Sequence, residues 1–320
     1  MSRVLLTGAS GFVGRAIVER LSSISAHQLT VAIRKPLQGL AAATNAVQIN
    51  QIDGATDWTQ ILPDCDVVIH AAARVHVMQE FSVDPLASFR KVNVEGTLKL
   101  ARQAAQRGVR RFIFISSIKV NGEGTSLGIP YTADSELLPL DPYGISKMEA
   151  EKGLLSIASQ TGMEVVIIRP PLVYGPGVKA NFLTMMQYLY KGVPLPFGYI
   201  HNRRSLVALD NLVDLIVTCI NHPEAANQVF LVSDGDDLST TALMRKMGDA
   251  LGKPARLLPV PSGVLTFFAG LLGRASLSQR LCGSLQVDIA KNRELLGWAP
   301  PVSVDSALIL TAKHFLKGET

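Results

Sequence analysis

In the segment DPYGISK, Tyr143 and Lys147 stand four residues apart. On a helix, positions i and i+4 share a face. A lysine ammonium beside a phenol favours the phenolate, which lowers its pKa and lets the tyrosine exchange a proton near neutral pH. Upstream, FIFISS ends in Ser116 and Ser117. A serine hydroxyl there can hydrogen-bond a carbonyl or alkoxide oxygen. Ser117, Tyr143 and Lys147 together read as a catalytic set for redox chemistry at an alcohol or ketone carbon. The Y-x-x-x-K spacing alone arises often by chance, so its meaning depends on the elements that position it.

The chain begins with an apolar strand followed by TGASGFVG, in which Gly8, Gly11 and Gly14 are spaced three apart. A strand before and a helix after is the setting in which such a loop holds a dinucleotide pyrophosphate. Gly8 allows the turn, Gly11 lets backbone approach the phosphates, and Gly14 lets the helix pack on the strand. The helix N-terminus, with Ser10, Phe12 and Val13 beside it, offers free N–H groups and a positive dipole end. An acidic residue about 20 residues beyond the loop would bind a ribose 2′-hydroxyl. Here the second strand ends in VAIRKP, and Arg34 and Lys35 stand in its place. Arginine can grip a 2′-phosphate with two charge-assisted bonds. NADP(H) is therefore the favoured cofactor, with NAD(H) as the alternative. Asp53, at the end of the third strand, reads equally as an adenine contact or a capping residue.

Apolar runs at Val4–Leu6, Leu29–Ile33, Ala46–Ile52, Val67–His70, Phe112–Ile115 and Val165–Ile168 read as strands. Helical stretches lie between them, including Arg15–Leu21, Leu86–Gln106 and Tyr143–Gln160. Strands separated by helices imply right-handed crossovers and a parallel sheet. Uninterrupted apolar runs imply strands covered on both faces. The expected fold class is α/β, a Rossmann doubly wound parallel sheet with a smaller C-terminal lobe. Residues 1–170 are expected to form the cofactor domain with the catalytic residues. Residues 171–320 are expected to be mainly a substrate lobe, with parts returning to the main sheet.

Of 320 residues, 48% are hydrophobic and 18% charged, and the net charge of +5 is not gathered into a run. This argues against a nucleic-acid partner. The three cysteines lack metal-type spacing and are odd in number. They point to a reducing, cytoplasmic setting without disulfides or a metal site. The most apolar stretch, Val264 to Leu272, is too short for a bilayer span of about 20 residues. It reads as a buried or interface helix, with contact to a membrane surface as the lesser alternative.

TGASGFVG, HAAARVH, NVEGT, FIFISSIKVNG, PYGISK and RPPLVYGPG together resemble the extended short-chain dehydrogenase/reductase family, in its nucleotide-sugar branch. The resemblance implies catalytic roles for Ser117, Tyr143 and Lys147. It places His70, Ala71, Ala72, Ala73 and Pro170 against the cofactor, and makes Asn93 a brace of the active site. For a UDP-sugar it implies contacts from Asn181, Arg203 or its neighbour Arg204, and Arg280. Asp210 reads more simply as a helix N-cap. Lys119 is a further candidate for binding substrate. Arg74 and His76 could line the sugar pocket, and His76 is left without a role. Family likeness also suggests a homodimer.

Dehydratases of this family carry an Asp-Glu pair after the strand-end hydroxyl, where this chain has Ile118 and Lys119. That disfavours elimination of water. Basic residues after the second strand depart from the acidic pattern of epimerases with tightly bound NAD. The expectation is therefore an NADPH-dependent 4-ketoreductase acting on a UDP-4-keto-6-deoxy-N-acetylhexosamine. Its product would be UDP-N-acetylquinovosamine or UDP-N-acetylfucosamine for surface polysaccharide. A UDP-hexose or UDP-N-acetylhexosamine 4-epimerase is the alternative. A non-catalytic cofactor sensor is remote, because the Ser/Tyr/Lys set is complete.

Overall fold

The computed structural model describes residues 1–24, 26–37, 44–75, 84–271, 273 and 275–319, without the side chains of 275–277 and 319. β1 (Ser2–Thr7), α1 (Phe12–Ser22), β2 (His27–Ile33), β3 (Asn45–Gln48) and β4 (Val67–His70) open the chain. Next come α2 (Pro85–Arg90), a π-helical turn (Lys91–Gly96), α3 (Thr97–Gln106), β5 (Arg111–Ile115), α4 (Pro142–Thr161) and β6 (Glu164–Arg169). These strands and the later β9 (Val229–Leu231) form a seven-stranded parallel sheet in the order β3-β2-β1-β4-β5-β6-β9. Successive residues alternate between its two faces. Leu6, Ile113 and Ile115 pack toward α1, while Leu5, Phe112 and Phe114 pack toward α3 and α4. Both faces are thus dry, as a parallel sheet requires.

The remaining chain is β7 (Leu172–Tyr174), α5 (Ala180–Tyr190), β8 (Leu206–Ala208), α6 (Leu209–Asn221), β9 (Val229–Leu231) and α7 (Thr240–Ala250). Then follow α8 (Ser262–Leu271), α9 (Ala275–Cys282), α10 (Ala290–Leu296) and α11 (Val304–Glu319). β7 and β8 pair with each other in a second small sheet. A separate core of α5, α7 and α11 includes Phe182, Met186, Met247 and Leu308. Two ties anchor it. Tyr174 Oη donates to Asp234 Oδ2 at 2.8 Å, and Asp234 Oδ1 accepts from Asn211 Nδ2 and the Ala208 N–H, each at 2.7 Å.

Several expected elements differ. The run Ala46–Ile52 is strand only through Gln48. The chain then leaves the sheet, after Ile49 N–H donates to Ile33 O at 2.8 Å. The helix expected over Leu86–Gln106 is broken by the π turn. Gly96 in that turn lies so close to the 52–53 segment that a Cβ would meet Ile52 Cγ2 at 2.9 Å and Asp53 Cα at 3.1 Å. Asp210 is not an N-cap: Ala208 holds that place and Asp210 sits in the first turn of α6, where its charge still complements the helix dipole. The apolar stretch from Val264 is helical through Leu271, but no residue of α8 is buried.

Candidate active site

The glycine loop joins the carboxyl end of β1 to α1. Gly8 has φ +80°, and a Cβ there would lie 2.6 Å from Ala72 N. A Cβ on Gly14 would lie 2.1 Å from Gly8 O, so this glycine packs the helix onto the turn itself, not onto the strand. Gly11 is the N-cap of α1 and carries no side-chain cap. The first-turn N–H groups of Phe12, Val13 and Gly14 thus have no intrahelical partner. Ser10 and Gly11 are exposed, with Phe12 and Val13 half-buried. A bare, uncapped helix start of this shape fits a dinucleotide pyrophosphate.

Arg34 and Lys35 follow the last residue of β2 and are exposed. Among the described residues neither makes a hydrogen bond or ion pair. Asp53 does not close β3: it lies in a turn beyond it, buried, with Oδ1 accepting from Ala55 N–H at 3.0 Å and Thr56 Oγ1 at 3.2 Å. Its other oxygen lies 3.8 Å from Lys91 Nζ.

His70 ends β4 with its ring turned inward, away from a cofactor. Nδ1 lies 2.7 Å from Thr7 Oγ1 and Nε2 3.0 Å from Thr97 Oγ1. Burial, then the Lys147 charge, drives its pKa down to about 3, so the ring is neutral. The backbone after it faces the glycine loop: Ala71 N–H donates to Thr7 O at 3.2 Å and Ala72 N–H to Thr7 Oγ1 at 3.4 Å. Ala73 is half-buried beside them. Asn93, buried in the π turn, donates from Nδ2 to Arg74 O and Ser146 Oγ, each at 3.0 Å, and accepts from Arg74 N–H at 2.8 Å. It fastens the chain after β4 to α4. His76 lies outside the described residues.

Ser117 lies just past β5 and caps a short 3₁₀ turn, its Oγ accepting from Lys119 N–H at 3.3 Å. Ile118 N–H donates to the carbonyl of buried Pro170 at 3.0 Å, which joins this turn to the end of β6. Asp141 caps α4 by accepting from Gly144 N–H at 2.7 Å, and Pro142 takes the first helical position, where its missing N–H costs nothing. Tyr143 therefore starts the helix at the open end of the sheet, its ring edge-on to Phe89 at 6.0 Å. One turn on, Lys147 is buried, donates from Nζ to Ile115 O at 2.8 Å and sits 4.3 Å above the Phe114 ring. An ammonium carries three donors, so two remain for a ribose hydroxyl.

The electrostatics differ from the expectation for this pair. Burial, and then the Asp141 carboxylate, push the Tyr143 phenol upward, not downward. Lys147 aims its ammonium at the Ile115 carbonyl. Its own pKa is lowered from 10.5 to about 7 by burial, against a raising effect of Glu151. Glu151 is held by Arg169, with Nη2 to Oε2 at 2.7 Å. Lys119 is not free for substrate: its ammonium pairs with Asp141 and with Glu123 Oε1 at 3.2 Å. Ser116, by contrast, is buried with no hydrogen-bond partner for its Oγ.

In the substrate half, Arg204 is half-buried and donates from Nη1 to Gly283 O at 3.0 Å. Burial, and then the nearby Arg280, lower its pKa. Two arginines held close without a carboxylate between them suit a diphosphate. Arg203 and Asn181 are both exposed, Asn181 in the first turn of α5. Among the described residues no side-chain bond joins either to Arg204 or Arg280. Sequence reasoning missed Asp141, Thr7, Thr97, Ser146 and Glu151. The D-P opening of α4 is a readable capping signal for Asp141. The other four act through partners far along the chain and leave no local mark.

The model of the NAD dependent epimerase/dehydratase family matches residues 4–233. The chain belongs to that family. It is 50% identical over 318 residues to UDP-glucose 4-epimerase of Vibrio cholerae, covering 98% of this chain and 95% of that one. The crystal structure of UDP-glucose 4-epimerase from Thermotoga maritima with UDP-glucose superposes with a TM-score of 0.76 at 24% identity, covering 99% and 100% of the two chains. UDP-glucuronic acid 4-epimerase from Bacillus cereus in complex with NAD superposes at 0.77 and 20% identity, covering 99% and 100%. The chain is thus an NAD(P)-binding family member of Rossmann-like fold. The half-identical relative overturns the 4-ketoreductase expectation. That expectation rested on Arg34 and Lys35, which report on one end of the cofactor and not on what happens at C4 of a sugar. Among the described residues no helix is long and apolar enough to cross a membrane.

Proposed function

We propose that this protein is a UDP-hexose 4-epimerase with a resident dinucleotide, a reading that includes UDP-N-acetylhexosamines as substrates. The 50% identity to a UDP-glucose 4-epimerase along almost the whole chain carries it. The geometry supports it in three places. The glycine loop and the start of α1 hold the pyrophosphate. Lys147 holds the nicotinamide-side ribose through its remaining donors. Arg204 and Arg280 take the substrate diphosphate, with Arg203 and Asn181 as further contacts.

A dinucleotide held by the glycine loop, the start of α1 and Lys147 would supply reversible hydride transfer at C4. Tyr143 takes the proton of the C4 hydroxyl only as the phenolate and later gives it back to the same oxygen. Burial and Asp141 oppose that form in the protein alone, so positive charge beside the phenol, from Lys147 and an oxidised nicotinamide, would have to supply it. Ser117 keeps its own hydrogen for the C4 oxygen, because its Oγ accepts only a 3.3 Å bond from Lys119 N–H. Lys119 balances the Asp141 charge and so limits the rise that Asp141 imposes on Tyr143. Lys147 is buried and Tyr143 half-buried, which limits the water that reaches their end of the site.

The test is interconversion of UDP-glucose and UDP-galactose, and of their N-acetyl forms, by purified protein without added reduced cofactor. Equilibration with no net change in nicotinamide absorbance is expected; absence of interconversion for both pairs overturns the reading. For the cofactor itself we propose NAD. The free guanidinium of Arg34 also suits a 2′-phosphate, and the nucleotide released on denaturation decides the matter.

A further inference from the structure

Between Glu164 and Asp210, and again between Asp249 and Asp288, the sequence has no acidic residue but nine lysines and arginines. The fold lays these two segments side by side. Leu195 N–H donates to Arg256 O at 2.9 Å, Gly198 N–H to Leu258 O at 2.8 Å, and Leu285 N–H to Arg203 O at 2.9 Å. Lys191, Lys253 and Arg256 are exposed on them, apart from the arginines assigned to the diphosphate. From this cationic surface rises α8, SGVLTFFAGL, which carries no charge and buries no residue. Phe267 is 64% exposed, Phe268 58% and Leu271 69%. α8 rests on α9, where Ser278 Oγ donates to Thr266 Oγ1 at 3.1 Å. A helix apolar on all sides is normally covered by something apolar. Leu127, Tyr199 and Pro261 continue the apolar surface around a cavity of about 300 Å³ at the start of α8.

We propose that α8 seats in the surface of an anionic lipid bilayer, with Lys191, Lys253 and Arg256 on the lipid headgroups. Charge selects this occupant. A two-fold contact between copies sets the same face against itself, which here would bring the exposed Lys191, Lys253 and Arg256 onto their like. Anionic headgroups offer the opposite sign. Length fixes the mode of contact. The ten residues of α8 rise about 15 Å, half of a hydrocarbon core of about 30 Å. The helix therefore lies in the interface with Phe267 and Phe268 among the acyl chains, and does not span.

The full chain is tested by co-sedimentation with vesicles of phosphatidylcholine alone and of phosphatidylcholine with phosphatidylglycerol, at low and raised salt. Binding to the anionic vesicles only, weakened by salt, is expected. Phe267→Ser with Phe268→Ser weakens it by about tenfold or more, and Lys253→Glu or Arg256→Glu by about fivefold each. An unchanged melting temperature shows that the variants fold, and the charge reversals test the proposal should the serine pair not fold. No sedimentation with anionic vesicles overturns the proposal. So does self-association in analytical ultracentrifugation that the serine pair abolishes, which would make a second copy the occupant. Neither readout depends on sugar epimerisation.

Discussion

The half proposed to hold the cofactor and the half proposed to hold the substrate are built to different degrees of readiness. In the first, Lys147 is tied to Ile115 O, Asn93 to the Arg74 backbone and Ser146, and His70 between two threonines, all buried. In the second, Asn181, Arg203 and Arg280 stand in water and only Arg204 is partly fixed. The difference fits a reaction in which the dinucleotide stays and the sugar moves. A hydride returned to the opposite face of C4 requires the ketone to turn over between two poses. A rigid cofactor wall with a loosely cationic grip on the diphosphate permits that turn.

If the rigid wall carries the chemistry, its variants lose turnover and the other half's variants lose affinity. Tyr143→Phe is expected to lower kcat by about 10³-fold with dinucleotide binding kept, read by the coupled epimerase assay and by cofactor fluorescence. A loss confined to KM would break the comparison. Gly14→Ala forces a Cβ against Gly8 O, so the loop must open. Overpacking of this kind costs about 1–3 kcal/mol, and both melting temperature and dinucleotide affinity should fall. Arg204→Ala is expected to raise KM about 10–100-fold with kcat nearly unchanged. An equal fall in kcat would place Arg204 in the chemistry and blur the two halves.

A smaller effect concerns stability. Burial lowers the Lys147 pKa from 10.5 to about 7 in the folded protein. Between those values the unfolded chain binds more protons than the folded one, so stability rises with pH through that window. Below about 7 the buried ammonium is charged and its cost is fully present. Melting curves of cofactor-free protein should therefore shift upward from neutral to alkaline pH, and Lys147→Met should flatten that slope. Smallest of all, Arg34→Ala should leave the unfolding free energy within about 0.5 kcal/mol of wild type, read by denaturant melts.

The sheet was legible because its strands are continuous apolar runs; Val67–His70 and β4 share the same bounds. β3 was overdrawn because apolar Ile52 packs onto the sheet's side after the chain has made its last bond to β2 at Ile49. Ser117, Tyr143 and Lys147 stood out through residue type and spacing, and the structure sets Ser117 just past β5 and the other two in the first turns of α4. The direction of the Tyr143 shift was not legible, because it comes from burial and then from the Asp141 carboxylate, while the Lys147 ammonium is turned to the Ile115 carbonyl. His70 stood in a cofactor motif, yet its ring is claimed by Thr7 and Thr97, residues 63 and 27 positions away. Partners at such separation are settled by topology and not by local pattern.

β9 reaches the edge of the main sheet only after the chain has built β7, α5, β8 and α6. The two halves are therefore interleaved in the order of synthesis. A ribosome releasing the first 170 residues exposes the hydrogen-bonding edge of β6, a strand apolar along most of its length, with nothing yet to pair it. Such an edge invites pairing with another chain. During translation the protein must carry that liability until Val229–Leu231 emerge, so any stop, nick or slow codon in between leaves an aggregation-prone intermediate in place of a smaller working enzyme.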